Sequence, residues 1–218
     1  MFVGLVLPAA LQAGVDAGGY FTITMPQGEF DEKVEKNGYG LTGQALFSAP
    51  GSFIAFGGSF GGVIYGRETR REPFSLTIPD VTVEVETNNY ILLGHLVLRL
   101  QPPAGPFRPY AEGVLGFSYL FTQTTIESRE ENIASDTNFD DGVFSYGGGG
   151  GIMVMIYDGG TTKPVSVYVD GGVRYLKGGK ARYLQEGSIR RVDGQVLYEI
   201  DESETDMLVV HIGVTVSF

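Results

Sequence analysis

The segment Leu208–Phe218, "LVVHIGVTVSF", alternates between large apolar residues and small or polar ones. Reading back from Phe218, every second position is apolar, and the intervening positions are small or polar except at Val209. Successive side chains of a β-strand point to opposite faces, so this segment predicts a strand with one apolar and one polar face. Whether the apolar face meets a protein core or lipid depends on the rest of the chain.

Seven other segments show the same alternation between turn residues, which predicts eight strands in total. Most have the ~9–11 residues, or slightly more, that a tilted strand needs to cross a bilayer. Their predicted bounds are Gly14–Met25, Tyr39–Ser48, Phe53–Tyr65, Tyr90–Gln101, Phe107–Thr125, Phe144–Tyr157, Val165–Leu176 and Met207–Phe218.

Short and long connections alternate strictly between these strands. The short connections are Ala49–Ser52, Pro102–Pro106 and Asp158–Pro164, and the long, polar ones are Pro26–Gly38, Arg67–Asn89, Ile126–Val143 and Lys177–Asp206. This order places all long loops at one end of the sheet and both chain termini at the other. The sequence therefore predicts an all-β fold, an eight-stranded antiparallel up-and-down transmembrane β-barrel over residues 14–218.

Charge and cysteine content narrow the possible classes of protein. The four long connections carry net charges of −2, −2, −5 and −2, which account for the whole net charge of −11. The strands between them are neutral, and no apolar run reaches the roughly 18 residues of a spanning helix. The chain has no cysteine, which excludes disulfide frameworks, zinc–thiolate sites and a lipid-modified N-terminal cysteine.

Residues 1–13 predict a truncated signal peptide. A short apolar stretch ends in Ala10-Leu11-Gln12-Ala13, which fits the small-x-small pattern for cleavage before Gly14. A basic n-region does not precede it, so we expect the true start codon upstream. The alternative is an apolar N-terminal strand.

The polar faces of the predicted strands carry isolated charges of both signs at mid-strand. An eight-stranded barrel has an interior just wide enough for side chains, so we expect these residues to form a paired ion and hydrogen-bond network that fills it. The alternative is a gate in a narrow ion or small-solute channel. The luminal set is Asp16, His95, Arg99, Glu112, Asp170, Arg174 and His211.

No catalytic site is expected from these residues. Neither His95 nor His211 is followed two positions later by a serine on the same strand face, and a nucleophile needs an adjacent base. Pairing between neighbouring strands remains an open route to such a site. The glycine run Gly147–Gly151 lies in a strand without a βαβ unit, so we interpret it as close packing in a narrow barrel and not as a phosphate loop.

Aromatic residues gather near the predicted strand ends, as in the two interfacial girdles of membrane barrels. The predicted girdle residues are Phe47, Tyr90, Tyr119, Phe121 and Tyr175. No metal site is expected. The acidic loop offers at most weak divalent binding through Asp136, Asp140 and Asp141, because its glycine and glutamate positions do not match a calcium loop.

Two of the long connections contain strand patterns of their own. Thr82–Glu86 alternates and extends the fourth strand, and Ser188–Ile200 predicts a hairpin around Asp193-Gly194. Exposed strand edges can pair with an incoming peptide. The simpler alternative is that both are strand extensions with edges blunted by charge.

Three segments together resemble the small outer-membrane β-barrel family of OmpA and OmpX type. They are Pro106–Phe121 ("PFRPYAEGVLGFSYLF"), Val167–Gly179 ("VYVDGGVRYLKGG") and Ile212–Phe218 ("IGVTVSF"). The resemblance covers Gly14 to Phe218 and implies a bacterial outer-membrane location. It also implies that Ile212, Val214, Val216 and Phe218 are read by the outer-membrane assembly machinery. The peptidoglycan-binding domain of OmpA-type proteins is not expected.

The sequence thus predicts a non-enzymatic, monomeric membrane barrel with a structural or surface-interaction role. Expected partners are outer-membrane lipid, lipopolysaccharide and an extracellular protein bound through the loops; neither a cofactor nor nucleic acid is expected. A third interpretation is a soluble, lipocalin-like barrel whose apolar face surrounds a ligand. The sparse charge on the polar strand faces disfavours it, because a surface in water should carry more.

Overall fold

A computed structural model describes residues 14–34, 36–75, 78–128, 131–160, 165–192 and 195–218. Side chains are described for all of these except residues in the ranges 70–84, 126–138 and 185–199. The predicted signal segment 1–13 and the Asp193-Gly194 turn lie outside the described residues. The elements are β1 Gly14–Pro26, α1 Glu29–Val34, β2 Gly38–Ser48, β3 Ile54–Ser75, β4 Ile78–Leu100, β5 Phe107–Ser128, β6 Glu131–Asp158, β7 Ser166–Gly178, β8 Lys180–Val192, β9 Gln195–Glu204 and β10 Met207–Ser217.

Eight of these strands close into an antiparallel barrel in the order β1-β10-β7-β6-β5-β4-β3-β2, and β8 and β9 form a separate two-stranded sheet. The closing seam pairs β1 with β10 from Asp16↔Ser217 to Pro26↔Met207. Beyond it, Val15 and Phe218 exchange backbone hydrogen bonds of 3.3 and 2.9 Å. The predicted eight-stranded up-and-down barrel is confirmed. No helix in the described ranges is long and apolar enough to cross a membrane.

The apolar strand faces point outward and the polar faces point into the barrel. On β10, Ile212 and Val214 are 59% and 45% exposed, whereas His211 and Thr215 are buried. This is the reverse of a lipocalin-like barrel, so that alternative is wrong. Val209, the exception in the terminal alternation, points inward and is buried in an apolar cluster.

Two long connections predicted as loops are strands. β3 and β4 remain paired up to Ser75↔Ile78, and β5 and β6 remain paired up to Ser128↔Glu131. The sequence analysis did not predict the extensions of β3, β5 and β6, because residues 66–75 and 126–143 show no regular apolar alternation. The extension through Thr82–Glu86 and the hairpin across Ser188–Ile200 are confirmed, since Val192 pairs with Gln195.

A cluster of buried apolar side chains, called the cap, lies at the loop end of the barrel. Helix α1, which the sequence analysis did not predict, inserts Phe30 with no exposed surface. The Phe30 ring lies 5.3 Å from Tyr183 of β8 and 6.1 Å from Tyr65 of β3, measured between centroids. The cap is completed by buried side chains at the loop ends of the strands, namely Ile91, Leu120, Leu176, Ala181, Met207 and Val209.

The glycine run on β6 supplies space where β6 and β7 approach each other. A Cβ added to Gly149, which lies on the inward face, would be 2.1 Å from the carbonyl oxygen of Val173 and 2.8 Å from the Cα of Arg174. No Cβ fits there without moving β7. By contrast, a Cβ on the outward Gly113 of the neighbouring strand would meet nothing closer than 4.0 Å.

We therefore expect Gly149→Ala to destabilise the barrel by about 1–3 kcal/mol, the usual cost of overpacking. Gly113→Ala, the matched control on the adjacent strand, should be nearly neutral. Urea unfolding in lipid vesicles, followed by far-UV circular dichroism because the chain has no tryptophan, measures both. Equal stability of the two variants would contradict this account of the glycine run.

Candidate functional site

All seven residues of the predicted luminal set lie inside the barrel and are at most 6% exposed. The barrel also buries Arg108, so that the described interior contains three arginines and three carboxylates. Their formal charges cancel. The set is Asp16, Arg99, Arg108, Glu112, Asp170 and Arg174.

The centre of this network is Glu112 on β5. The Arg99 Nε donates to Oε2 of Glu112 at 2.9 Å, and Arg99 Nη2 lies 2.8 Å from the same oxygen. The Arg174 Nε donates to the other carboxylate oxygen. Gln44 Oε1 accepts from Nη2 of Arg174 at 2.8 Å. One carboxylate therefore holds two guanidinium groups from β4 and β7, and an amide from β2 joins them.

A second hub is Asp170 on β7. Its carboxylate accepts hydrogen bonds from the hydroxyls of Tyr110 at 2.8 Å, Thr215 at 3.0 Å and Tyr20 at 3.1 Å. The Tyr110 hydroxyl also lies 3.0 Å from His211 Nε2. These side chains come from β1, β5 and β10 and therefore tie the closing seam to the opposite wall.

The two hubs are joined through Arg99. Its guanidinium carbon lies 3.8 Å above the Tyr110 ring centroid, and its Nη1 lies 3.9 Å from the Asp170 carboxylate. A guanidinium over a ring face is stabilised by the ring quadrupole, more strongly when water is absent. Because Arg99 is completely buried, this arrangement replaces its hydration shell with protein groups.

A third group closes the turn end of the barrel. Asp16 accepts from Gln101 Nε2 at 2.6 Å and from Arg108 Nη2 at 3.2 Å. The Arg108 Nε donates to the carbonyl oxygen of Pro102 at 2.9 Å, and the Tyr168 hydroxyl donates to Gly105 O at 3.3 Å. The turn 102–106 is thereby fixed against luminal side chains.

Between the Glu112 hub and the cap, His95 pairs with a serine across the strands. His95 Nε2 lies 2.8 Å from Ser145 Oγ, which accepts from Ser118 at 3.0 Å. This is the cross-strand contact that the sequence analysis left open, and its distance suits a nucleophile and base. Both serines are fully buried under the cap, so the pair lacks the access that a substrate needs.

Sequence reasoning assigned Gln101 to the polar face of the fourth strand but left it out of the luminal set, and it missed four further network members, which are Tyr20, Gln44, Arg108 and Tyr110. Each lies an even number of positions from a predicted luminal residue on its strand or, for Gln44, on the polar face of β2. Arg108 and Tyr110, for example, share the inward parity of Glu112. Counting alternate positions from a known inward residue would have found them.

On the outer side of the cap, an ion pair links α1 to the β8–β9 hairpin. Lys33 Nζ lies 2.7 Å from Asp201 Oδ1, and this contact raises the pKa of Lys33. Near the loop end of β3 and β4, the Glu86 carboxylate lies 2.7 Å from the Arg67 guanidinium. Hydrogen bonds from Asn88 and Arg67 lower the pKa of Glu86.

The structure describes only two of the three acidic side chains that the sequence analysis proposed for weak divalent-cation binding. Asp140 accepts from the Tyr119 hydroxyl at 2.8 Å, and Asp141 accepts from the backbone N–H of Arg182 at 2.9 Å. The side chain of Asp136 lies outside the described residues. Among the described ones, no group of three His, Cys, Asp or Glu residues is placed to hold a metal ion.

The predicted girdle residues all lie on the outward face. The rings of Tyr90 and Phe121 stack with centroids 4.9 Å apart, and Tyr119 lies 5.7 Å from Phe121. Tyr175 donates its hydroxyl hydrogen bond to Asp206 at 3.0 Å. Phe47, near the turn end, lies 6.4 Å from Phe56.

Comparison with solved structures finds similar chains, three of which share 10–14% identity with this protein. The Ail attachment invasion locus protein of Yersinia pestis, solved with the heparin analogue sucrose octasulfate, has a TM-score of 0.42 and 14% identity over 94% of this chain and 97% of its own. Neisserial surface protein A has a TM-score of 0.40 and 10% identity over 94% and 95%.

A major outer membrane protein of Thermus thermophilus has a TM-score of 0.43 and 12% identity over 93% of this chain and 99% of its own. Neither a family model nor a curated protein matches the chain. The fold assignment therefore depends on the strand pairing of the chain itself.

We expect Glu112→Gln to reduce the free energy of unfolding by about 3–5 kcal/mol, because it leaves two buried guanidinium groups without their carboxylate. The control Glu86→Gln removes an exposed ion pair, whose Arg67 side chain is 66% exposed, and should cost at most about 1 kcal/mol. Urea unfolding in vesicles measures both. The double variant Glu112→Gln/Arg174→Gln restores the balance of buried charges and should recover part of the lost free energy of unfolding. Similar losses of stability for Glu112→Gln and Glu86→Gln would refute the role of the Glu112 hub.

Proposed function

We propose that this protein is an integral β-barrel of a bacterial outer membrane with a structural and surface-interaction role. The carrying observation is its outward surface. Twenty-seven large apolar or aromatic side chains of the described residues are exposed, and all except Ile200 lie on barrel strands or directly beside them. An uninterrupted apolar surface of this extent belongs in lipid, because soluble proteins rarely expose large apolar patches.

Closure of the barrel supports the same conclusion. In hydrocarbon, each unpaired backbone group costs several kcal/mol, so only helices and closed barrels can cross. The hydrogen-bonded β1–β10 seam leaves the barrel without a strand edge at that depth. The outward residues Ile212, Val214, Val216 and Phe218 then serve both as lipid contacts and as the signal for the assembly machinery.

The extended hairpins and the cap lie at the end opposite the chain termini. In the proposed orientation this end faces the cell exterior, where long loops of such barrels lie. Two structures then face the exterior. One is the sheet that β3, β4, β5 and β6 form beyond the barrel, called the β3–β6 sheet, and the other is the cap of α1 with β8–β9. Lipopolysaccharide and an extracellular protein are the proposed partners, and the barrel acts as a monomer without enzymatic activity.

The lumen supports a sealed barrel better than a channel. Its charges are paired at the Glu112, Asp170 and Asp16 levels, its loop end is filled by the apolar cap, and its turn end is closed by the Asp16–Arg108 group. An ion would have to displace paired charges without access to water, which is costly. We therefore assign the interior to rigidity.

Membrane topology can be tested with single cysteines, because the chain has none of its own. We expect a membrane-impermeant maleimide to label Glu202→Cys on intact cells and Pro103→Cys only after the outer membrane is permeabilised. Both positions are accessible to solvent, and they lie at opposite ends of the barrel. Labelling of Pro103→Cys on intact cells, or of neither variant in folded protein, would contradict the proposed orientation.

Conductance separates the sealed barrel from the channel. We expect the chain from Gly14 to Phe218, refolded into planar bilayers, to show no discrete openings, because the charged luminal groups are held in pairs. A shift in gel mobility between unheated and heated samples verifies that the barrel is folded. Openings of the unaltered chain whose amplitude changes in Arg99→Ala or Arg174→Ala would overturn the sealed interior and favour a narrow channel.

A further inference from the structure

Helix α1 is held at the mouth of the barrel chiefly by one side chain. Of its six residues, only Phe30 is buried, whereas Glu29, Asp31 and Glu32 are exposed. A helix this short is not stable by itself, so its position depends on the contacts of the Phe30 ring and on a few bonds at its surface. The mouth is therefore a site for one aromatic ring, which the chain fills with its own side chain.

Two tyrosine rings form the walls of this ring site. The Phe30 ring lies 5.3 Å from the Tyr183 ring at an interplanar angle of 81°, and 6.1 Å from the Tyr65 ring at 56°. Edge-to-face and tilted arrangements at such distances stabilise aromatic pairs beyond the burial of their apolar area. All three rings belong to one buried apolar cluster. The geometry therefore favours an aromatic occupant over an aliphatic one of equal size.

The hydroxyl of Tyr65 has no hydrogen-bond partner among the described residues, although Tyr65 is only 3% exposed. Across the Phe30 ring, by contrast, the Tyr183 hydroxyl lies 2.8 Å from Ser203 Oγ. Phe30 has no polar side-chain atom to offer, and a buried hydroxyl without a partner is costly. A ring with a polar atom at its edge supplies the hydrogen bond that Phe30 cannot.

This orphan differs from the other buried polar atoms without a partner in the described part of the chain. Gln44, Asn88 and Gln101 each have one such atom, but the other amide atom of each is hydrogen-bonded to a charged side chain. Tyr65 has a single polar side-chain atom, and it faces apolar surroundings. Tyr65 is thus the residue of this group that marks a ligand site outside the charged network.

The remaining attachments of α1 are weak. Lys33 and Asp201 form an ion pair whose side chains are 38% and 23% exposed, and such pairs contribute little to stability. The hydrogen bond from the Glu204 N–H to Glu29 is long, at 3.4 Å. Before the helix, the Gln27 N–H is anchored to Asp206 O at 2.9 Å, and Gly28 follows with φ at 59°. A glycine between an anchored strand end and a weakly held helix is suited to act as a hinge.

We propose that the mouth of the barrel binds a small aromatic molecule with a hydroxyl group, of the phenol class, in the place of the Phe30 ring, and that α1 is a lid which this ligand displaces. The ligand ring packs between Tyr65 and Tyr183, and its hydroxyl bonds to that of Tyr65. The inference goes beyond the proposed surface role, because it assigns the barrel a solute. The charged groups deeper in the lumen stay paired, so binding opens no channel.

The first test follows α1 itself. A nitroxide spin label is attached at Glu32→Cys, an exposed position in a chain without cysteine, and the barrel is refolded into phosphatidylcholine vesicles. Titration with 4-fluorophenol should convert the label to a mobile state with a saturable midpoint, because the ligand favours the displaced helix. A label at Ala104→Cys, exposed in a turn at the opposite end, is the control and should not respond.

The second test measures binding by fluorine NMR of 4-fluorophenol, after subtraction of its partitioning into empty vesicles. Phe30→Ala removes the competing ring and should strengthen binding at least about tenfold, because the site no longer has to be vacated. Phe60→Ala removes a lipid-facing ring that is 58% exposed on the strand of Tyr65 and should change binding less than about twofold. Gel mobility verifies that both variants fold, and the label experiment does not depend on either.

The third test concerns the hydroxyl. Tyr65→Phe keeps the ring and should weaken 4-fluorophenol binding about fivefold or more, because the ligand hydroxyl loses its partner. Binding of fluorobenzene, which has no hydroxyl, should change less than about twofold. Tyr183→Phe is the matched control on the other wall; its hydroxyl already pairs with Ser203, so this variant should still prefer 4-fluorophenol to fluorobenzene.

Three results would overturn the proposal. The first is no saturable binding to either the unaltered chain or Phe30→Ala. The second is binding that leaves the label at residue 32 immobile, which places the ligand elsewhere. The third is equal affinity for 4-fluorophenol and fluorobenzene, which removes the role of Tyr65. Because refolded barrels are used throughout, these results are independent of the cysteine labelling that tests membrane orientation.

Discussion

Two arginines, Arg99 and Arg174, share the single carboxylate of Glu112 inside a barrel too narrow to hydrate them, and the rest of the interior depends on this pairing. Burying a charge costs several kcal/mol unless a partner and further hydrogen bonds compensate it. Among the described residues, the barrel meets this requirement with three buried arginines, three buried carboxylates and hydrogen bonds from buried tyrosine, glutamine and threonine side chains. The two hubs, joined through Arg99, consequently connect side chains from β1, β2, β4, β5, β7 and β10.

Space is the second constraint, and glycine resolves it. Large luminal groups such as Tyr110 fit because facing positions on β6 and β7, Gly151 and Gly172, have no side chain; a Cβ at either would lie 2.4–2.5 Å from the Tyr110 hydroxyl. These two glycines therefore make room for a side chain that reaches across the lumen, whereas Gly149 makes room for the backbone of the neighbouring strand. On the outside, the same alternation presents apolar side chains, so each strand joins a polar interior to an apolar exterior.

The loop end combines two structures with different physical roles. The cap of α1 and β8 buries Phe30 and Tyr183 in apolar contacts, whereas the β3–β6 sheet extends beyond the barrel. Pro73 lies on one edge of this sheet, and the acidic segment Ile126–Val143 contains the other.

Alternation along the chain was sufficient to predict eight strands, their inward and outward faces and seven luminal residues, because the direction of a strand side chain depends only on its position along that strand. It was not sufficient for the partners of those residues. That Glu112 meets Arg99 depends on the register of two consecutive strands, whereas its contact with Arg174 and the contact of His95 with Ser145 join residues far apart in sequence that only the folded barrel brings together. The extensions of β3, β5 and β6 beyond the barrel also escaped prediction, because residues 66–75 and 126–143 show no regular apolar alternation. The terminal Phe218 pattern was local, but the burial of Val209 required a cap assembled from α1, β3, β8 and β10.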